Sequence, residues 1–260
     1  MKISVITVCF NSEKTIRDTL ESMNIQKYKD FEYIIIDGLS TDRTLEIVEE
    51  YKDKLNLKIV SEKDNGLYNA MNKGIKLASG EIIGILNSDD WYEKDTLLLV
   101  NNFFEHHYDC DILSGAMNLQ TFNKERIKTI YKTTLLKIKK EMPVNHPATF
   151  VRKEVYNEIG DFNLKYKVSA DYDFICRAYI NSKKFYFTNE ILTNMRLGGL
   201  SGGGDGGTKS IKIAMNTAKD DYEIVKKYFG YEDKFFYYKK FFILYLRFIK
   251  RFFIKNKNCR

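Results

Sequence analysis

Two adjacent carboxylates, Asp89 and Asp90, follow the apolar run Glu81 to Leu86 through Asn87 and Ser88. A pair in that place suits a hard divalent cation shared with a diphosphate. Mg²⁺ and Mn²⁺ prefer oxygen ligands, keep some waters and take one or two carboxylates from protein. The same Asn-Ser-Asp-Asp string also makes an ordinary turn whose Asp caps the next helix. His146, in an extended turn between Pro143 and Pro147, can line an acceptor site, help to position a metal or phosphates, or serve as a structural histidine. His106 and His107 lie at a polar helix end and are solvated.

The elements that must position these groups are legible from periodicity. Ile3 to Val8, Phe31 to Ile36, Leu57 to Val60 and Glu81 to Leu86 are short apolar runs, as buried parallel strands should be. Between them, helical periods run through Ile16, Thr19, Leu20 and Met23, then through Leu45, Ile47, Val48 and Tyr51, then from Leu67 to Ala78. That alternation predicts a doubly wound, mostly parallel α/β sheet, in which ligands bind beyond the carboxyl ends of the strands. Thr7 to Asn11, Asp37, Asp64 and Asp89-Asp90 all fall at such ends, so one crevice collects them. After residue 100 the pattern loosens. Asp111 to Leu119 and Arg126 to Tyr131 suit strands of a mixed extension, Lys153 to Ile159 and Asp171 to Tyr179 suit helices, and the chain is helical from Ile211. Seven glycines between Leu197 and Gly207 exclude a regular element there.

Several motifs stand in a fixed order: Thr7-Val8-Cys9-Phe10-Asn11, Asp37-Gly38-Leu39-Ser40-Thr41-Asp42, Asp64-Asn65-Gly66-Leu67-Tyr68-Asn69-Ala70-Met71-Asn72-Lys73-Gly74, and Gly80 through Asp89-Asp90. Together they resemble the inverting glycosyltransferase family 2, in particular its small bacterial members that build surface polysaccharides. The likeness is close over residues 1–92. It continues more loosely in Asn145 to Phe150, Gly160-Asp161-Phe162 and Ser169 to Asp173. It implies a single GT-A-like domain, a nucleotide-sugar donor, most simply a UDP-sugar, and Mn²⁺ or Mg²⁺.

Residue by residue, the resemblance implies that Thr7, with Phe10 and Asn11, packs under the base. Asp37 then bonds the uracil imide or ribose, and Asp64 and Lys73 line the nucleotide pocket. Asp89 meets the ribose or the metal, and Asp90 binds the metal bridging the phosphates. Asn87 stands where many relatives carry the first aspartate of a DxD, leaving an amide oxygen in its place. Asp171 matches the general base, with Ala170 where the family has Glu; Asp173 is the alternative, as base or at an acceptor or phosphate site, and Ser169 and Asp171 also suit a helix N-cap. Arg196 and Ser201 resemble a segment near the donor diphosphate, where the glycine-rich stretch can close as a lid.

Charge separates the chain into two parts. Residues 222–260 carry eleven Lys and Arg against three Asp and Glu, whereas residues 1–221 carry 31 against 32. Tyr238, Phe241, Phe242, Tyr245, Phe248, Ile249 and Phe252 fall on one helical stripe, with Lys239, Lys240, Arg247, Lys250 and Arg251 behind it. This pattern suits a helix in an anionic membrane interface over residues 234–255, or one packed on the catalytic domain or on a second copy in a homodimer. The organisation expected is a GT-A domain over 1–210, with a nucleotide-binding half 1–100 and an acceptor half 101–210, and a membrane-associating helical segment 211–260. With no signal peptide, no span and no CxxC pair among Cys9, Cys110, Cys176 and Cys259, the protein is expected in the cytoplasm, on the inner face of the plasma membrane. Its acceptor is then a lipid-linked saccharide. A nucleotidyltransferase acting on sugar phosphates would show a Gly-rich, basic loop after the first strand, an NAD enzyme a GxGxxG, and a nucleic-acid binder a basic main domain; none is present.

Overall fold

The computed structural model describes residues 1–198 and 208–230, together with six helical residues between 235 and 246. Its centre is built from the β-branched runs. Strands β1 (Ile3–Cys9), β2 (Phe31–Asp37), β3 (Leu57–Ser61) and β4 (Ile82–Ile85) lie parallel in the order β3-β2-β1-β4. Helices α1 (Ile16–Asn24), α2 (Thr44–Glu49) and α3 (Leu67–Leu77) are the crossovers. Alternation along β1 sends Ile3, Val5 and Cys9 to one face and Ile6 and Val8 to the other. α1, α2 and α4 (Thr96–His106) cover the first face; α3, α5 (Lys153–Ile159) and α6 (Ala170–Ile180) cover the second. The doubly wound reading of the first half therefore holds.

Beyond residue 90 the sheet becomes mixed. β8 (Thr149–Arg152), preceded by a 3₁₀ turn at His146–Ala148, runs antiparallel to β4. β6 (Ile112–Gln120) pairs antiparallel with β8 and with β7 (Arg126–Ile130). β9 (Phe185–Arg196) runs parallel to β6, and the short β5 (Trp91–Tyr92) pairs antiparallel with β9. Sequence periodicity missed β9 because Thr188-Asn189-Glu190 interrupts its apolar pattern. The interruption coincides with irregular register against β6, between Ser114 and Met117, where pairing resumes out of step.

Helix α7 (Thr208–Phe229) packs on α6 and buries Ile224 and Val225 in the core, so it spans the boundary expected at residue 210. Cys9, Cys110 and Cys176 are buried thiols. No helix among the described residues is long and apolar enough to cross a membrane.

Close packing of α3 on β1 depends on Gly74: a Cβ there would lie 2.4 Å from Ile6 Cγ2. Gly74→Val is therefore expected to cost about 1–3 kcal/mol, the usual range for overpacking a filled core. Urea unfolding should show a lower midpoint at an unchanged slope; an unaltered midpoint would mean that α3 can shift freely.

Candidate active site

Cys9, Asp37 and Ser61 stand side by side in register at the carboxyl ends of β1, β2 and β3. Asp37 is fully buried. Its carboxylate accepts the Ser40 N–H at 3.0 Å, the Ser61 hydroxyl at 2.7 Å and the Ser40 hydroxyl. Burial, reinforced by the Asp37 charge, pushes the Cys9 thiol well above its ordinary range and keeps it inert. Asn11, in the left-handed region at φ 50°, accepts the Thr41 N–H at 2.9 Å on its side-chain oxygen, and its own N–H donates to Ser40 Oγ at 2.8 Å. The Thr7 hydroxyl, also buried, pairs with the Tyr33 hydroxyl at 2.9 Å. Of the residues expected at the donor, Thr7 and Asp37 are thus buried and internally bonded, and Asn11 is exposed beside them.

Three further groups remain open above these strand ends. Phe10 is 61% exposed. A Cβ on Gly38 would lie 3.5 Å from the Phe10 ring and 3.2 Å from Asp64 Oδ2, which places the three in one cleft. Asp64 pairs with Lys73 at 2.6 Å, and Lys73 also reaches Glu62 at 2.9 Å. An aromatic face over bare backbone, flanked by a carboxylate, can stack a nucleobase and accept its N–H.

The loop after β4 separates its two carboxylates. Asp90, only 1% exposed, accepts the Arg196 N–H at 3.0 Å on one oxygen and the Asn87 amide N–H at 3.0 Å on the other. Burial, and then the Asp89 charge, push its carboxyl up to about 8. Asp90, the expected metal ligand, faces inward and braces the loop. Asp89 is half-buried and makes no salt bridge among the described residues, and burial holds its carboxyl above the ordinary range. Arg196, expected near the donor diphosphate, is held at the same junction. Its guanidinium lies between the Trp91 and Phe122 rings, 5.0 and 5.1 Å from their centres. It donates to the Asp89 carbonyl at 3.1 Å, the Phe122 carbonyl at 2.6 Å and Asp18 at 2.5 Å. Ser201 and the glycine-rich lid lie outside the described residues.

A second cluster forms where α6 meets α3. Asp171 Oδ1 accepts the Tyr172 N–H and lies 2.9 Å from the Tyr68 hydroxyl, which is also 2.7 Å from the Val168 carbonyl. Asp171, His146, Thr149, Phe162 and Ile85 line a cavity of about 10 Å³, roughly the space of one water. Burial lowers the His146 pKa below its ordinary range, against the pull of the Asp171 charge, so the ring is neutral near pH 7. Asp173 is sealed, taking Arg177 at 2.9 Å and the Tyr228 hydroxyl at 2.8 Å. Tyr68 escaped the sequence reading, as did Asn72, whose amide clamps the Phe162 backbone at 2.8 and 3.0 Å. Their signal was present: two polar residues four apart on the buried face of an amphipathic helix.

The model of the family described as Glycosyl transferase family 2 matches residues 4–160. The chain is 34% identical over 181 residues to the PGL/p-HBAD biosynthesis glycosyltransferase of Mycobacterium bovis (strain BCG / Pasteur 1173P2), covering 68% of this chain and 70% of that one. It is 31% identical over 222 residues to the poly(ribitol-phosphate) beta-N-acetylglucosaminyltransferase TarS of Staphylococcus aureus (strain MW2), covering 72% of this chain but 39% of TarS. The crystal structure of TarS 1-349 in complex with UDP-GlcNAc superposes with a TM-score of 0.66 at 25% identity, over 88% of this chain and 71% of that one. The mannosyltransferase PcManGT from Pyrobaculum calidifontis, in complex with GDP-Man and Mn²⁺, superposes with a TM-score of 0.66 at 14% identity, a likeness of fold alone, over 89% of this chain and 65% of that one. The architecture is therefore that of the GT-A glycosyltransferases. Within that class, the chain belongs to glycosyl transferase family 2.

The state of Asp90 has a measurable consequence. With its carboxyl raised from 3.8 to about 8, the folded protein binds an extra proton across that window. The contribution is complete at low pH and is lost as pH rises through about 8. Asp90→Asn, neutral throughout, should show a thermal midpoint that declines less than the wild type's between about pH 5 and 8; identical slopes would show that Asp90 is not the titrating group.

Proposed function

We propose that the protein moves a sugar from a UDP-sugar to a hydroxyl of a lipid-linked saccharide, inverting the anomeric centre in a single displacement, as a step in bacterial polysaccharide synthesis. One observation carries this reading. Asp37, Asp90 and Asp173 are consumed by internal bonds, whereas Asp89 and Asp171 keep partly open carboxylates. Ile85, at the end of the strand leading to Asp89, lines the Asp171 cavity. The uridine assignment draws support from the Phe10–Gly38–Asp64 cleft and from the UDP-GlcNAc complex of TarS.

In this reading Asp171 takes the proton of the acceptor hydroxyl as its oxygen bonds to the anomeric carbon. The bond from that carbon to the diphosphate oxygen breaks, and its electron pair leaves with UDP. Tyr68 orients the carboxylate, and neutral His146 packs beside it without adding a competing charge. A divalent ion fits at Asp89. No group of three or more His, Cys, Asp or Glu side chains able to enclose a metal occurs among the described residues, so Asp89 would hold such an ion together with the donor. Asn87, whose amide N–H is bound to Asp90, keeps its oxygen for the same ion. When bound, Mn²⁺ or Mg²⁺ offsets the charge gathering on the departing diphosphate.

The tail supports a place on the cytoplasmic leaflet. Phe235, Tyr238, Phe242 and Leu246 are helical and exposed at intervals of three and four, the spacing of one stripe. Basic residues there add on the order of 1 kcal/mol each toward an anionic surface.

Purified protein, offered a panel of nucleotide sugars with Mn²⁺ and a lipid-linked saccharide, should release UDP only when the acceptor is present. Failure to bind any nucleotide diphosphate would end this reading. Asp171→Asn should lower kcat by about 10²- to 10⁴-fold with donor affinity near the wild type's. Tyr68→Phe should lower kcat by about tenfold, the worth of one hydrogen bond, with donor KM unchanged; unaltered kcat would exclude an orienting role.

A further inference from the structure

We propose that residues 126–141 form a second membrane-contacting surface, docking on anionic lipid beside the root of the C-terminal tail. The inference rests on the membrane reading of the tail and extends it to a part of the catalytic domain that no step of the chemistry uses. This stretch carries six cations, Arg126, Lys128, Lys132, Lys137, Lys139 and Lys140, against one carboxylate, Glu141. It also holds Ile127, Tyr131 and Leu136 in solvent, at 47%, 55% and 90% exposure. Single exposed apolar residues are ordinary. Three of them interleaved with six cations make the composition of an interfacial surface.

The segment is not loosely attached. Asn145 donates to the Ile130 carbonyl at 3.1 Å, the Tyr172 hydroxyl of α6 donates to the Ile138 carbonyl, and Ile138 itself is buried. Leu136 thus projects outward from a turn whose neighbour two residues on is anchored in the core. Its position supplies the choice of occupant. Lys139 Nζ sits 5.6 Å over the Phe229 ring, at the end of α7, where the chain passes into the basic-aromatic tail. A membrane reached by the chain just beyond Phe229 would therefore lie next to residues 126–141.

Flotation of the full chain with phosphatidylcholine vesicles, with and without phosphatidylglycerol, tests this. The Tyr131→Glu, Leu136→Glu double variant should bind anionic vesicles at least about tenfold more weakly than the wild type, with UDP-sugar binding unchanged by calorimetry. Arg126→Glu with Lys128→Glu, on the exposed strand β7, is the second variant should the first lose its fold; it should narrow the preference for anionic over neutral vesicles. Wild-type binding in both variants, alongside loss in Phe242→Glu, Leu246→Glu, would overturn this surface and leave tail docking standing. No vesicle binding by the wild type would overturn both while leaving sugar transfer untouched. A solution dimer that the Glu variants dissociate would reassign the face to a second copy of the chain.

Discussion

Asp90 holds the two halves of the sheet together at the point where chemistry is expected. Its side chain lies at the end of the loop from β4, and one of its oxygens receives the backbone N–H of Arg196, at the end of β9 and 106 residues later in the chain. The other oxygen receives Asn87 from within its own loop. A hydrogen-bonded carboxyl sealed in this way is costly to leave unpartnered, about 1–3 kcal/mol per lost bond, so the loop has one favoured course. Arg196 extends the junction: stacked between Trp91 and Phe122 and bonded to the Asp89 carbonyl, it fixes the backbone immediately before Asp90. Asp89 is open because its neighbour is closed.

The same division recurs in α6. Asp173 is drawn into the core by Arg177 and by Tyr228 of α7, and residues two apart on a helix point away from each other. Asp171 is thereby left facing the cavity with His146. In both places a buried carboxylate orients an open one. The helix that supplies Tyr228 leads into the basic tail, so the element that sets the direction of Asp171 also connects to the proposed membrane contact.

This explains what the sequence made legible and what it did not. The first four strands, their helices and the shared crevice follow from apolar runs at regular spacing, a local signal that the packing of both sheet faces then obeys. Whether a given aspartate faces inward or outward is decided by partners far along the chain: Arg196 for Asp90, Tyr228 for Asp173, Ser61 for Asp37. No local pattern reports them. Strand β9 was hidden for a related reason, since its pairing with β6 survives a polar interruption that breaks the apolar period. The family resemblance named Asp90 and Arg196 for ligand binding without reporting the bonds that hold each of them within the fold.

Those bonds bear on how a diphosphate is held. Asp37, Asp64 and Asp89 stand at the strand ends, an arrangement that repels an anionic ligand. Lys73 is engaged by Asp64 and Glu62, and Arg196 by Asp18 and two carbonyls. The stretch from Leu197 to Gly207 contains no Lys or Arg. Two unit charges a few ångströms apart in a partly buried site interact by several kcal/mol, so the phosphates need a counter-charge of comparable strength. Lys73 and Arg196 already hold other partners. In the proposed reaction, a divalent ion brought in with the donor and held by Asp89 would meet that requirement without either side chain being released from its present partner.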